Sequence, residues 1–208
     1  VKGDIESKKT KINLNLIKNL FEDDLSFIKD QEIILETKNK FSFKIKKGKI
    51  DELEYSLQID VDNISLNPES NLLKNYFNNY NNSIVLKNNS IKFKYENENF
   101  NIEGKSQYSF DESFNNIDYK IKKKKDNYDF LTLINFEKNP ITIKLINYSK
   151  EKNKKSNLKL KGSYNKNKVK LNEIIYNEGR NSLEVIDLNL NKNFKIVDLK
   201  KAKIDFLN

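Results

Sequence analysis

Two short clusters in this 208-residue chain hold the residue types from which sites are built. The first is DVDNISLNPESN at 60–71, where Asp60 and Asp62 stand as the opening ligands of a calcium loop would. Such a loop needs glycine at its sixth position for the sharp turn and a bidentate glutamate at its twelfth. Ser65 and Asn71 occupy those places, so the two carboxylates read as the solvent face of a strand. The second cluster is KFKY at 92–95, which interleaves cations with aromatic rings as nucleic-acid-binding segments do. In an extended chain successive side chains point to opposite faces, so Lys92 and Lys94 point away from Phe93 and Tyr95. A stacking platform needs both kinds on one exposed face, and no nucleic-acid partner is expected.

Elsewhere the chemistry is bounded by what the chain lacks. It has no His and no Cys, which removes the Ser-His-Asp and Cys-His sets, the usual zinc and haem ligands, and any disulfide. Its five glycines form neither GxxxxGK[ST] nor GxGxxG. The expectation is a protein that is not an enzyme and takes no cofactor and no metal.

The elements that would position any site are strands. Apolar residues alternate with polar ones at Ile12-Leu14-Leu16, Phe41-Phe43-Ile45, Tyr55-Leu57-Ile59-Val61, Ile91-Phe93-Tyr95, Phe100-Ile102 and Tyr108-Phe110. The same period continues at Ile117-Tyr119-Ile121, Phe130-Thr132-Ile134-Phe136, Ile141-Ile143-Leu145, Leu158-Leu160, Val169-Leu171, Ile186-Leu188-Leu190 and Ile204-Phe206. Period two marks half-buried strands, and short polar connections between them favour antiparallel neighbours. In NPESNLLKNYFNNY (67–80), Leu72, Leu73, Tyr76, Phe77 and Tyr80 instead recur at helical spacing. With Asn67 as N-cap and Pro68 at the first helical position, an amphipathic helix over about 67–81 is expected. A weaker helical stretch lies near 17–29. The triplets VKG (1–3), IEG (102–104) and LKG (160–162) form a faint repeat, each with a glycine that marks a bulge or a close approach of backbone.

Composition agrees with a lean sheet. Apolar residues are 37% of the chain and charged residues 33%, little material for a thick core. The 34 asparagines, with abundant Lys, Ile, Phe and Tyr, are the residues of A- and T-rich codons, so the Asn-x-Ser triplets at Asn63, Asn81, Asn88 and Asn147 carry little meaning. Net charge is +9, with the basic excess entirely after Lys120, where KIKKKK (120–125) and KEKNKK (150–155) sit between apolar runs. Lysines in turns and on edge strands discourage sheet-to-sheet pairing, and they also suit an anionic lipid surface. No run approaches the 18 apolar residues of a membrane-spanning helix. The chain starts at Val1 and has no Met, so a piece of a longer protein is expected, with any signal peptide or anchor outside it.

The stretches IKFKYENENFNIEGKSQYSF (91–110), FNNIDYKIKKKKDNYDFLTLINFEKNPITIKLINYSK (114–150) and NLKLKGSYNKNKVKLNEIIYNEGRNSLEVIDLNLNKNFKIVDLKKAKIDF (157–206) resemble the AsmA-like proteins of Gram-negative bacteria, above all the repeat region of the YhdP-type branch. The resemblance covers about residues 85–208. It implies a mainly β fold, a long antiparallel meander forming a twisted, curled sheet with an open, taco-like groove and one or two short helices. Residues 1–208 would be a single β-rich segment of a longer repetitive protein. It further implies a periplasmic protein anchored to the inner membrane from outside this segment, with a possible outer-membrane partner. The partners at the groove would be phospholipid acyl chains on their way between the two membranes, a role in outer-membrane biogenesis.

Physical reasoning points the same way, because a one-layer sheet with one apolar face must bury that face on something. The residues expected to face lipid are Phe93, Tyr95, Phe100, Ile102, Tyr119, Ile121, Phe130, Ile134, Ile143, Leu145, Leu158 and Leu160. The competing expectation is a closed β-sandwich or solenoid acting as a structural or adhesive surface module, in which the same residues are ordinary core.

Overall fold

The computed structural model describes residues 1–14, 28–68, 71–77, 79–96, 99–111, 113–165 and 168–206. Its strands are β1 (Lys2–Asn13), β2 (Glu32–Lys46), β3 (Lys49–Leu66), β4 (Ile84–Glu96), β5 (Asn99–Ser109), β6 (Asn115–Lys124), β7 (Asn127–Asn135), β8 (Ile141–Ile143), β9 (Tyr148–Lys150), β10 (Ser156–Asn165), β11 (Lys168–Glu178), β12 (Asn181–Asn191) and β13 (Ile196–Asp205). Eleven of them form one antiparallel sheet in chain order, β1 to β7 followed by β10 to β13, while β8 and β9 pair only with each other. The meander follows from the alternation: each run is amphipathic, and its nearest unpaired edge is that of the strand just formed. β1 and β13 each pair on one side, so the sheet is not closed into a barrel.

The sheet curls. Strands lie about 4.8 Å apart, so the seven steps from β3 to β12 would span roughly 34 Å if flat. Leu66 of β3 and Leu183 of β12 nevertheless line one cavity.

The two ends of the meander differ. At one end, tight turns join β2 to β3 at Lys47-Gly48 and β6 to β7 at Lys125-Asp126, and β12 reaches β13 through residues 192–195. Lys47, Gly48 and Lys125 take the left-handed conformation such turns require. At the other end lie the longer connections, 67–83 and 136–155 among them, and these fold back as a cap. Phe77 and Tyr80 from the first, Phe110 after β5, and Phe136, Ile141 and Tyr148 from the last bury one another against Tyr108 and Tyr176. Phe77 lies 4.8 Å from Phe110 and 5.5 Å from Phe136, ring centre to ring centre. The Thr142 amide donates to the Tyr76 carbonyl (2.9 Å), tying the two connections together. A second cluster of Leu14, Ile33, Leu35 and Val61 closes the same end near β1–β3.

Two expectations are corrected in detail. The helix over 67–81 contracts to a single 3-10 helix at Asn71–Asn75. Its Asn-rich tail offers side-chain amides that compete with helical hydrogen bonds, as Asn81 does by accepting from the Ser83 amide, and Asn82 turns left-handed. The helical reading near 17–29 falls mostly on 15–27, outside the described residues. The run Ile141-Ile143-Leu145 does not join the main sheet: Ile143 ends the short β8, and Leu145 falls in a 3-10 helix, Lys144–Ile146.

The glycine triplets mark close approach at all three sites and a bulge at one. Gly3 lies opposite Phe41, Gly104 opposite Tyr119 and Gly162 opposite Phe130, each with the ring laid over the glycine where a Cβ would stand. Only Gly162 adjoins a register shift, with β11. The shift between β4 and β5 instead falls at Lys87/Ser90, where Asn88 is left-handed.

Candidate functional site

Registers place the alternating residues in rows that cross the entire sheet. One row runs Ile5, Asn39, Leu57, Phe93, Ile102, Ile121, Phe130, Gly162, Leu171, Leu188, Leu199. The next row toward the cap contains Ile59, Ile91, Gly104, Tyr119, Thr132, Leu160, Ile174 and Val185, and beyond it Ile117, Ile134, Leu158, Tyr176 and Leu183 stand together. On the other side, toward the tight turns, lies an aromatic row: Phe41, Tyr55, Tyr95, Phe100, Tyr128 and Tyr164. The bulges shift register locally without breaking the rows, so a single apolar face extends across all eleven strands.

Ten of the twelve sequence-predicted residues share this face, in four adjacent rows. Phe93, Ile102, Ile121 and Phe130 are direct cross-strand neighbours; Tyr95 pairs with Phe100, Tyr119 and Leu160 share a row, and Ile134 pairs with Leu158. Ile143 approaches from the cap, and Leu145 belongs to no strand of the sheet. None of the ten is fully buried: each is half-exposed, and among the described residues no second sheet of comparable size covers them. A filled sandwich would bury such residues from both sides.

Next to the cap the curl encloses an apolar cavity of about 550 Å³, within the range typical of small-molecule sites. Tyr119, Ile134, Leu158 and Leu160 form its floor, Ile143 and Phe77 its roof, and Leu86 and Leu183 its flanks. Burial raises the Tyr119 phenol above its ordinary value, which keeps this wall uncharged. The Tyr108 hydroxyl donates to the Asn135 carbonyl at 2.6 Å, so the buried phenol is satisfied internally. Tyr148 and Tyr176 share a hydrogen bond of 2.9 Å, and the Tyr148 hydroxyl donates to Glu178 at 3.2 Å. Behind the cap, the buried Lys150 ammonium donates to the carbonyls of Glu137, Glu151 and Lys154, and desolvation lowers its pKa.

The opposite face is charged. Lys120 donates to Glu103 at 3.2 Å, Lys159 to Glu173 at 2.5 Å and Lys201 to Glu184 at 2.6 Å, and Lys170 lies 3.1 Å from Asp187. The paired lysines hold the Glu103, Glu173 and Asp187 carboxyls below the usual carboxylate range. Lys92 and Lys94 belong to this face, opposite Phe93 and Tyr95, as the alternation requires. Lys123, two residues past Ile121, falls by the same alternation on the apolar face. It lies in the aromatic row, with its ammonium 5.7 Å from the Phe100 ring centre and 5.6 Å from that of Tyr128. Asp60 and Asp62 accept from Gln58 and Lys9, each at about 3.1 Å. Among the described residues no group of three or more acidic side chains could hold a metal ion, and no helix is long and apolar enough to cross a membrane.

Sequence reasoning missed the cap. Its signal was the set of aromatic residues just past strand ends, Phe110 and Phe136, which continued the alternation and so looked like strand interior. No family model matches the chain, and no curated protein or solved structure shows significant similarity to it.

Proposed function

We propose that this chain is a segment of an AsmA-like envelope protein whose apolar face receives phospholipid acyl chains, in a periplasmic route between inner and outer membranes. One observation carries the reading: a continuous apolar face crosses eleven strands yet remains half-exposed, and it curls around an uncharged cavity. In water such a face is a liability, and monomeric proteins rarely leave one bare. Acyl chains are a fitting cover, each buried methylene contributing roughly 0.8 kcal/mol. They need no directional partners, in keeping with a wall built from carbon.

The test is site-specific photocrosslinking in cells or with purified chain and labelled phospholipid. A photoreactive side chain at Leu160, in the cavity, and another at Phe93, farther along the face, should each capture lipid. One at Lys92, on the charged face, should not. Absence of lipid adducts at both Leu160 and Phe93, or equal capture at Lys92, would reject the proposal.

A further inference from the structure

The chain's positive charge is gathered at the end of the sheet away from the cap. Among the described residues of the segments around the five connections there, 44–51, 94–101, 122–129, 163–170 and 189–198, are thirteen lysines and five carboxylates. They account for a net +8 of the chain's +9. Exposed apolar side chains stand among those lysines: Phe194 is 71% exposed, Ile196 69%, and Ile45 and Ile50 64% each. Phe194 sits at the apex of the β12–β13 connection in the left-handed conformation, flanked by Lys192 and Lys195. Ile45 and Ile50 face each other beside the Lys47-Gly48 turn. One step inward runs the row of Phe41, Tyr55, Tyr95, Phe100, Tyr128 and Tyr164.

We propose that this end of the sheet docks on an anionic lipid bilayer, with the turn lysines on headgroup phosphates, Phe194 inserted from the apex of its connection, and Ile45, Ile50 and the aromatic row at the interface. Exposed apolar side chains, cations beside them and tyrosines one step inward are the components that an anionic membrane surface engages. A nucleic acid would use the lysines and Lys123 with its flanking rings, but it has no use for a bare Phe194 at an apex or bare isoleucines beside a turn. The proposal rests on the groove reading, for which it supplies the door: the cap closes the far end, and acyl chains would enter from the docked one.

The chain has no tryptophan, so a single one reports its own surroundings. Phe194→Trp and Ile45→Trp place it at exposed positions on the lysine-rich end, and Lys152→Trp places it at an exposed position on the capped end, outside the cavity. Each variant is mixed with vesicles of phosphatidylcholine alone or with phosphatidylglycerol added, and separately with duplex DNA. The expected result is a blue shift and quenching by bromolipid for positions 194 and 45, only with anionic vesicles, and none for position 152. Converting Lys122, Lys124 and Lys125 to Gln should weaken vesicle binding about a hundredfold. No shift at 194 and 45, an equal shift at 152, or preferential binding of DNA without a shift would overturn the docking proposal. Lipid capture at Leu160 is measured in the same preparations. Capture without vesicle docking sinks the docking end alone, whereas loss of capture sinks the groove.

Discussion

Gly104 and Gly162 both lie under an aromatic ring, yet alanine should be nearly neutral at the first and destabilising at the second. At Gly104 the atoms nearest a Cβ all belong to the far part of the Tyr119 side chain, its Cζ, hydroxyl oxygen and Cε1. The ring is half-exposed and can swing aside toward the cavity at an off-rotamer cost of about 0.5–1.5 kcal/mol. Removing glycine from a strand returns roughly 0.5–1 kcal/mol, so Gly104→Ala should leave stability within about 1 kcal/mol of the parent. At Gly162 the Cβ would meet the Lys170 carbonyl oxygen as well as Phe130 Cζ at 2.7 Å. A backbone oxygen at a bulge has nowhere to rotate, and Gly162→Ala should cost about 1–3 kcal/mol. Urea unfolding reads both, as a shift in midpoint at constant slope. Double variants separate the causes. Tyr119→Ala should relieve what strain Gly104→Ala introduces, whereas Phe130→Ala should leave most of the Gly162→Ala penalty in place. Equal penalties at the two glycines, or full rescue by Phe130→Ala, would refute the assignment of ring contact to one and backbone contact to the other.

Three further outcomes follow from the same geometry. Leu160→Glu puts a carboxylate in the floor of the apolar cavity and should lower acyl capture at Phe93 and Ile134 at least about tenfold while the half-exposed site still folds, read by lipid crosslinking and by circular dichroism. Phe77→Ala should cost about 3–5 kcal/mol in urea unfolding, because Phe77 is buried between Phe110 and Phe136 and leaves a cavity in the cap. Burial raises the pKa of Tyr108, Tyr148 and Tyr176. Their unfolded forms lose protons near pH 10 while the folded forms retain them, so stability is complete below that pH and falls as pH rises above it. Tyrosinate absorbance should then appear for these three only together with loss of the folded circular-dichroism signal.

The sheet was legible because its signals are local. Period-two alternation fixes which side chains share a face, and the two-residue turns at Lys47-Gly48 and Lys125-Asp126 fix pairing without long-range information. The rows through Phe93 and Leu160 could therefore be anticipated from sequence. Lys123 was overlooked although it continues Ile117, Tyr119 and Ile121 at alternate positions, because four consecutive lysines at 122–125 offer no contrast between the faces. Leu145 was misplaced for a related reason: three apolar residues at alternate positions do not distinguish a strand from a strand end running into a 3-10 turn. The cap required tertiary information throughout. Phe77, Phe110, Phe136 and Tyr148 are far apart in the chain and meet only because the sheet brings successive connections to one end. The contraction of the 67–81 helix reflects tertiary packing too, since Phe77 and Tyr80 reach the cap core as turn residues and no further helical hydrogen bonds are needed to bury them.

The length of the apolar face sets a scale for what it can carry. From the aromatic row at Tyr95 and Phe100 to the row of Ile134 and Leu158, the face advances by three two-residue steps, roughly 20 Å at about 3.3 Å per residue. One leaflet of bilayer hydrocarbon is about 15 Å deep. On the proposed reading, an acyl chain drawn in from the lysine-rimmed end would run along the strand direction past Phe93 and Ile121. It would reach the cavity at Tyr119 and Leu160 while its headgroup stayed near the turns. Strand direction, charge asymmetry and the closed far end then belong to one arrangement. A chain lying across the strands would need no such polarity, and crosslinks confined to a single row, with none at successive depths from Tyr95 to Leu160, would argue for that orientation instead.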